Sequence, residues 1–136
     1  LRTLFPYTTL FRSASTLAGM VIAQAGTSLP HGMGYALTYF HNIPHGKANG
    51  VLLKSYLEFC TNKSKVKRIL YLLTLENLDE LGYFLNSMLG DITSVSYEDI
   101  CSYSDKMTLN NDKLKNHPSP VGRKDILNIY KNSLKL

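Results

Sequence analysis

The spacing of apolar residues constrains the fold of this chain more than any other feature. From Ala14 onward they recur every three or four positions, as in Leu78, Leu81, Leu85 and Met88, which is the period of an amphipathic helix. No alternating apolar and polar run of comparable length follows residue 13, so strands are not predicted. We therefore predict an all-α fold without internal repeats.

Capping residues, prolines and glycines predict where these helices begin and end. Pro30 suits a first helical position, and Pro44 pushes the residue before it out of helical geometry. Gly90 is a stop signal, and Ser96 with Asp99 forms a variant of the capping box. The first predicted helix begins at Ser15 or Thr16, and the second runs from Pro30 to before Pro44. The next three cover Ala48–Phe59, Lys65–Thr74 and Leu75–Leu89. A further helix begins at Ser96, and the last covers Arg123–Leu134.

The first thirteen residues, LRTLFPYTTLFRS, do not continue this pattern. They contain Pro6 within a mixed aromatic and β-branched run that has no clear helical or alternating period. The string resembles a translated sequencing adapter. We therefore interpret residues 1–13 as a non-native leader and residues 14–136 as the domain, with a short native strand or arm as the alternative.

Size and composition bound the class of protein. A chain of 136 residues, 44% of them apolar, has room for one modest packed domain. No apolar run approaches the roughly 20 residues that a membrane span needs. The net charge is +5, but the basic cluster at 63–68 has no interleaved aromatic residues, so nucleic-acid binding is not predicted. Cys60 and Cys101 form no CxxC motif, which favours two reduced thiols in a cytoplasmic protein.

Histidines, glycines and prolines concentrate between Gly26 and Gly50. This window holds three of the four histidines, His31, His41 and His45. Imidazole is a common ligand of divalent transition metals. Satisfied core or capping histidines are the alternative, since no Asp or Glu lies within the window to complete a metal site.

The spacing of two of these histidines tests the metal hypothesis. On one straight helix, His31 and His45 would lie about 21 Å apart, too far to share an ion bound at about 2.1 Å. They converge only if the chain turns back between them, and Asn42-Ile43-Pro44 provides a turn. We predict that Gly46 then lets the backbone come close, and that His45 lies near the start of the next helix.

The same window resembles the C-terminal domain signature of the iron-containing (group III) alcohol dehydrogenases. In that signature a histidine is followed fourteen positions later by the histidine of a Pro-His-Gly-x-Ala-Asn segment. His31 and His45 match these positions within HGMGYALTYFHNIPHGKAN. A weaker likeness continues to the closing loop and helix, NHPSPVGRKDILNIYKNSL, so that the resemblance covers nearly all of residues 14–136.

The resemblance implies a fold and a metal site. The fold is the helical metal-binding domain of the iron-type alcohol dehydrogenase and dehydroquinate synthase-like architecture, present here in part. Family members bind a divalent metal, usually Fe²⁺ and sometimes Zn²⁺, through one aspartate and three histidines. His31 and His45 match the last two ligands. The other two precede them in an Asp-x-x-x-His pair, which this sequence lacks, as it lacks a glycine-rich phosphate loop after a strand.

The resemblance also implies an activity. The parent enzyme would interconvert small primary alcohols and aldehydes by hydride transfer with NAD or NADP, in the cytoplasm and as a homo-oligomer. Many members carry a second histidine, assigned to proton relay or nicotinamide contact, where this chain has Tyr35. The Tyr35 hydroxyl is our candidate for a catalytic contact with substrate or cofactor. We expect the 136-residue chain alone to be inactive; the alternative is a non-catalytic helical interaction module that keeps the motif as scaffold.

The remaining polar and aromatic side chains have weaker predicted roles. His41 is interpreted as a surface residue or one behind the metal ligands, and His117 as a solvated or capping loop residue. Lys47 is expected to face solvent. Leu37, Tyr39 and Phe40 are expected to pack in the core, with the apolar side of the substrate pocket as the alternative.

Overall fold

The part of the chain that the structure describes consists of helices joined by loops. The structure is a computed structural model that describes residues 4–109 and 114–136, and side chains from Tyr7 onward. No strand occurs within those ranges, which confirms the all-α prediction. The helices are α1 (Leu4–Ala25), α2 (Leu29–His41), α3 (His45–Phe59), α4 (Lys63–Leu72), α5 (Leu78–Leu89), α6 (Tyr97–Leu109) and α7 (Arg123–Leu134).

The start of α1 corrects one boundary prediction. The helix begins at Leu4, eleven residues before the predicted cap at Ser15, so most of the first thirteen residues are helical. Pro6 lies in the first turn, where a residue without an N–H is tolerated because that N–H has no partner within the helix. Whether residues 1–13 are native stays an untested prediction.

Predicted caps hold the ends of several other helices. The Ser96 hydroxyl accepts from the Asp99 N–H at 3.1 Å, and the Asp99 carboxylate accepts from the Ser96 N–H at 2.9 Å, so both backbone donors at the start of α6 are satisfied. Helix α7 has the predicted bounds. Helix α5 begins at Leu78 rather than Leu75, because Asn77 supplies an unforeseen cap to the Glu80 N–H.

Helix α3 lies at the centre of the fold. It contacts α2, α5 and α7, while α6 packs on α2 and α7. Their apolar sides form the main core, in which Tyr130 is fully buried and donates its hydroxyl to the Met33 carbonyl at 2.7 Å. A second, smaller cluster joins α3, α4 and α5 through Leu57, Val66, Leu70 and Leu81. Other fully buried members of the main core are Leu29, Leu37, Ala48, Leu52, Ile100 and Ile126.

Helix α1 stands apart from this core. Every described side chain from Tyr7 to Ala25 is exposed, including Phe11 at 75% and Val21 at 63%. The apolar side of α1 is therefore not covered by the described part of the chain. None of the described helices is long and apolar enough to cross a membrane.

Two aromatic residues of α2 correct a packing prediction. Tyr39 is 83% exposed and Phe40 is 53% exposed, whereas Met33 and Leu37 are fully buried. The buried side of α2 therefore follows positions 29, 33 and 37, and Tyr39 points away from it. Phe40 lies on the buried side at the end of α2, where it stacks on Tyr103 at 5.3 Å but stays half exposed. Cys60 and Cys101 are free thiols, as predicted.

Candidate metal centre

A tight turn between α2 and α3 brings the two ends of the histidine window together. Asn42 adopts left-handed backbone geometry at φ 53°, ψ 31°, and its N–H donates to the Leu37 carbonyl. This is the usual way in which a helix ends before reversing direction. Pro44 follows with an extended backbone, and α3 begins at His45. The turn predicted at these residues is therefore present, and α3 begins three residues earlier than predicted.

The turn places the imidazoles of His31 and His45 next to each other. His31 lies in the first turn of α2, and His45 is the first residue of α3. Their Nε2 atoms are 3.1 Å apart. The ring centroids are 4.6 Å apart and the ring planes cross at 78°. The two residues therefore face a common point, as the spacing argument required.

The distance between the two nitrogens fits a shared divalent ion. Two nitrogens bound at about 2.1 Å lie about 3.0 Å apart in cis octahedral geometry and about 3.4 Å apart in tetrahedral geometry. The 3.1 Å between His31 Nε2 and His45 Nε2 lies within this range. Metal coordination needs a lone pair on each Nε2, so the proton of each neutral ring must then be on Nδ1.

Thr38 contacts the other ring nitrogen of His45 and is compatible with this protonation state. Its Oγ1 lies 3.3 Å from His45 Nδ1, where a protonated Nδ1 donates to the hydroxyl oxygen. Such contacts behind a metal ligand fix its ring orientation and leave Nε2 free for the metal. Thr38 is one turn beyond Tyr35 on α2, and sequence analysis did not identify it.

Tyr35 packs over both rings. Its ring is stacked on His45 at 5.2 Å and meets His31 edge-on at 4.9 Å. The residue is 49% exposed, so one side of the phenol covers the imidazoles and the other side is open to solvent. Tyr35 therefore lies beside the point that the two imidazoles face. Its catalytic role stays a prediction.

A close contact at Gly34, rather than Gly46, lets the two helices approach. A Cβ on Gly34 would lie 2.0 Å from Asn49 Oδ1, whereas a Cβ on Gly46 would meet nothing within 4 Å. The prediction for Gly46 is therefore wrong. Helix α2 packs against the Asn49 side chain of α3 only because residue 34 has no side chain. Asn49 Nδ2 in turn lies 3.0 Å from His45 Nε2.

The described residues supply an incomplete set of the usual metal ligands. Within residues 4–109 and 114–136, no group of three His, Cys, Asp or Glu side chains could hold a metal ion. Two imidazoles fit a divalent metal in spacing but leave other coordination positions to be filled.

The His41 side chain makes its contacts elsewhere on the fold. Its Nε2 shares a hydrogen bond of 2.8 Å with the Tyr103 hydroxyl and lies 3.7 Å from an Asp99 carboxylate oxygen. Burial raises the pKa of Tyr103, and the Asp99 charge raises it further. Hydrogen bonds from Ser96 lower the pKa of Asp99, with a smaller contribution from His41. His41 therefore joins α2 to α6 and does not face the centre.

His117 is buried rather than solvated, so the first of its two predicted roles is wrong. Only 7% of it is exposed, and it packs against the rings of Tyr56 and Phe59. The Ser119 N–H lies 3.2 Å from its Nδ1, so its polar contact is with the loop backbone. Lys47 is half-buried and donates to the Asp91 carbonyl at 3.2 Å, so its ammonium joins α3 to the segment after α5.

The fold and the paired imidazoles define a class: a helical domain that presents a partial metal site at a turn between two helices. The family model of the iron-containing alcohol dehydrogenases, C-terminal part, matches residues 8–134. This chain belongs to that family. The match begins at residue 8, within the first thirteen residues.

Curated relatives match over a shorter stretch. Over 47 residues the chain is 45% identical to a 1-propanol dehydrogenase of Salmonella typhimurium. The matched stretch covers 35% of this chain and 13% of the relative. Over 55 residues it is 42% identical to an aldehyde-alcohol dehydrogenase of Clostridium acetobutylicum, covering 40% and 6%. Over 43 residues it is 42% identical to a lactaldehyde reductase of Escherichia coli, covering 32% and 11%.

Solved structures match almost the whole chain. An iron-containing alcohol dehydrogenase from Thermotoga maritima superposes with a TM-score of 0.77 at 34% identity, covering 91% of this chain. A second iron-containing alcohol dehydrogenase superposes with a TM-score of 0.79 at 35% identity, also covering 91% of this chain. The chain spans 34% of each of these two chains. The expected fold is confirmed, and the chain corresponds to about a third of these relatives.

Proposed function

We propose that this chain is the part of an NAD(P)-dependent alcohol dehydrogenase that supplies two of its metal ligands, His31 and His45. The observation that carries the proposal is the 3.1 Å between their Nε2 atoms. It occurs in a chain of the iron-containing family, whose name implies a metal. Fe²⁺ is the proposed metal and Zn²⁺ the alternative, because imidazole binds both.

The proposed substrates are small primary alcohols and the corresponding aldehydes. The relatives are named as dehydrogenases or reductases of 1-propanol, lactaldehyde and other aldehydes and alcohols. The chain covers at most 13% of any of these three proteins. Substrate, nicotinamide cofactor, cytoplasmic location and homo-oligomeric assembly are therefore proposals about the whole enzyme.

The residues of this chain have separate tasks in such a reaction. When bound, the metal supplies a Lewis acid that polarises the substrate oxygen, and the nicotinamide carries the hydride. His31 and His45 would hold the metal through Nε2, with the proton of His45 on Nδ1, where the Thr38 hydroxyl can accept it. Tyr35 covers one side of the imidazole pair, and its hydroxyl is the proposed contact with substrate or cofactor.

Metal titration of the 136-residue chain tests the proposal. We expect Zn²⁺ to bind in equilibrium dialysis, and His31→Gln and His45→Gln each to weaken binding at least about tenfold, because each removes one of two donors. His41→Gln is the matched control, since His41 lies on the same helix as His31 but contacts Tyr103. Binding that survives both substitutions at His31 and His45 would refute the proposed site.

The alternative function is a helical interaction module that keeps the motif as scaffold. Two imidazole nitrogens 3.1 Å apart also suit one N–H···N hydrogen bond without a metal. In that case the substitutions would lower stability but no metal would bind. The same titration, accompanied by thermal unfolding, separates the two functions.

Activity of the chain alone is a separate question. We expect no NAD(P)H turnover with ethanol, butanol or acetaldehyde, because no glycine-rich phosphate loop following a strand occurs in this sequence. The exposed apolar side of α1 also leads us to expect self-association in light scattering. Robust turnover by a monomer would contradict both expectations.

A further inference from the structure

A groove lies between α2 and α6 and adjoins the imidazole pair. It has a volume of about 460 Å³ and is lined by residues of both helices and by Tyr130 of α7. This volume is within the range of sites that hold small molecules in proteins. Tyr35 and Thr38, which contact the imidazoles, line one part of it. The groove is therefore a candidate binding site in addition to the metal centre.

The surface that lines this groove is mostly apolar, although it includes tyrosines. The Tyr103 hydroxyl shares a hydrogen bond of 2.8 Å with His41. The Tyr130 hydroxyl donates to the Met33 carbonyl at 2.7 Å. Both hydroxyls thus have partners within the fold. Apolar contributions come from Ala36, Phe40 and Met107. Such a surface favours a hydrocarbon ligand, because binding removes apolar area from water.

An ammonium group accompanies this apolar surface. Lys106 also lines the groove, and its Nζ lies 5.0 Å from the centre of the Phe40 ring. The Phe40 ring is itself stacked on Tyr103 at 5.3 Å. Within residues 4–109 and 114–136, no salt bridge joins Lys106 to a carboxylate. The groove therefore combines an apolar wall with a cation that has no anionic partner in the described part of the chain.

We propose that this groove binds a small amphipathic anion, namely a straight-chain carboxylate whose hydrocarbon chain lies between α2 and α6 and whose carboxylate pairs with Lys106. Charge complementarity selects the anion, because an ammonium beside an apolar wall favours a ligand with one negative group. Gly32 and Phe40 both line the groove, and α2 rises about 12 Å between them. At ordinary carbon–carbon bond lengths, this is the extended length of about eight to ten carbon atoms. Binding needs no metal, so the inference does not depend on the proposed function.

Methyl resonances of the unchanged 136-residue chain test where the ligand binds, with octanoate as the probe at concentrations below those that form micelles. We expect the methyl group of Met107, which lines the groove, to shift in a ¹H–¹³C spectrum as octanoate is added. Met20 is 56% exposed on α1 and reports adventitious binding to an apolar surface, so its methyl group should stay unchanged. An unshifted Met107 methyl group, or equal shifts of both, overturns the proposal.

Two ligands of equal length test the role of the charge. Lys106→Gln should weaken octanoate about threefold or more, because it removes the ion pair, and should leave the affinity for uncharged octanamide unchanged. Lys67→Gln, at an exposed lysine of α4, is the matched control and changes neither affinity. If Lys106→Gln weakens both ligands alike, or neither, the anion assignment is overturned.

A variant of the groove wall tests the site itself. Ala36→Leu adds side-chain atoms to the lining of the groove. We expect it to weaken both octanoate and octanamide about tenfold, because it excludes them from apolar contact. Unchanged affinity for both ligands in a folded Ala36→Leu chain would show that they bind elsewhere and would overturn the proposal. None of these experiments contains a metal, so their failure and the failure of the Zn²⁺ titration are distinguishable.

Discussion

The contact between Gly34 and Asn49 gives the sharpest test of how α2 and α3 pack. In Gly34→Ala, the new methyl carbon would lie 2.0 Å from Asn49 Oδ1 and 3.1 Å from Asn49 Cγ, more than an ångström inside ordinary contact for the oxygen. Overpacking of this kind costs about 1–3 kcal/mol. Alanine gains about 0.5–1 kcal/mol over glycine inside a helix. We expect a net loss of up to about 2.5 kcal/mol.

A double-mutant cycle tests this prediction, because the effect of Gly34→Ala on stability should change sign when the Asn49 side chain is removed. In an Asn49→Ala background the nearest remaining atom of residue 49 to the new methyl is the backbone nitrogen, at 3.5 Å, which is ordinary contact. Gly34→Ala should then stabilise the chain by about 0.5–1 kcal/mol, because only the helix propensity remains. The coupling energy between the two sites is therefore about 1–3 kcal/mol.

Urea unfolding followed by circular dichroism measures each free energy of unfolding. Gly46→Ala is the control, because no atom lies within 4 Å of its added Cβ, and we expect it to be neutral or slightly stabilising. The reasoning is refuted if Gly34→Ala stabilises the otherwise unchanged chain, or if its effect is the same with and without the Asn49 side chain.

Three further predictions concern the core and the surface. Tyr130→Phe removes the hydroxyl that donates to the Met33 carbonyl and should cost about 1 kcal/mol in urea unfolding; no loss would mean that the bond contributes nothing. Leu52→Ala at a fully buried site should cost about 2–5 kcal/mol by the same measurement, and a cost below about 1 kcal/mol would contradict the close packing of α3. The hydrogen bond and charge of Arg123 lower the pKa of Asp105, so this pair stabilises the folded chain above the ordinary carboxyl pKa, and the stabilisation disappears as pH falls below about 4. When the free energy of unfolding is measured as the pH is lowered, Arg123→Met should remove the part of its decline that comes from this pair.

Helix type and several helix ends could be predicted from local signals. Ser96 and Asp99 cap α6 with the expected bonds, and the bounds of α7 follow from its apolar period. Helix α2 ends before Pro44, as the restriction on residues before proline requires. These features depend on residues within a few positions of each other. Sequence alone is sufficient for them.

Features that depend on how helices cross could not be predicted in the same way. Gly34 and Gly46 look alike in the sequence, and only the crossing of α2 over α3 decides that Gly34 carries the close contact. His117 is buried because α3 presents Tyr56 and Phe59 to its loop, which no spacing near residue 117 reveals. The contacts of Thr38 and Asn49 with His45 were missed because hydroxyl and amide side chains are common in helices and carry no signature of such contacts.

The most direct test of which residues hold the metal is to follow the ring-nitrogen resonances of the four histidines during a Zn²⁺ titration. Long-range ¹H–¹⁵N spectra of the 136-residue chain distinguish Nδ1 from Nε2 in each ring. We predict that the Nε2 resonances of His31 and His45 shift together as Zn²⁺ saturates the chain, while those of His41 and His117 stay unchanged. Zn²⁺ that shifts neither ring of the pair, or only His41 or His117, would contradict the claim that the turn at Pro44 builds a metal centre.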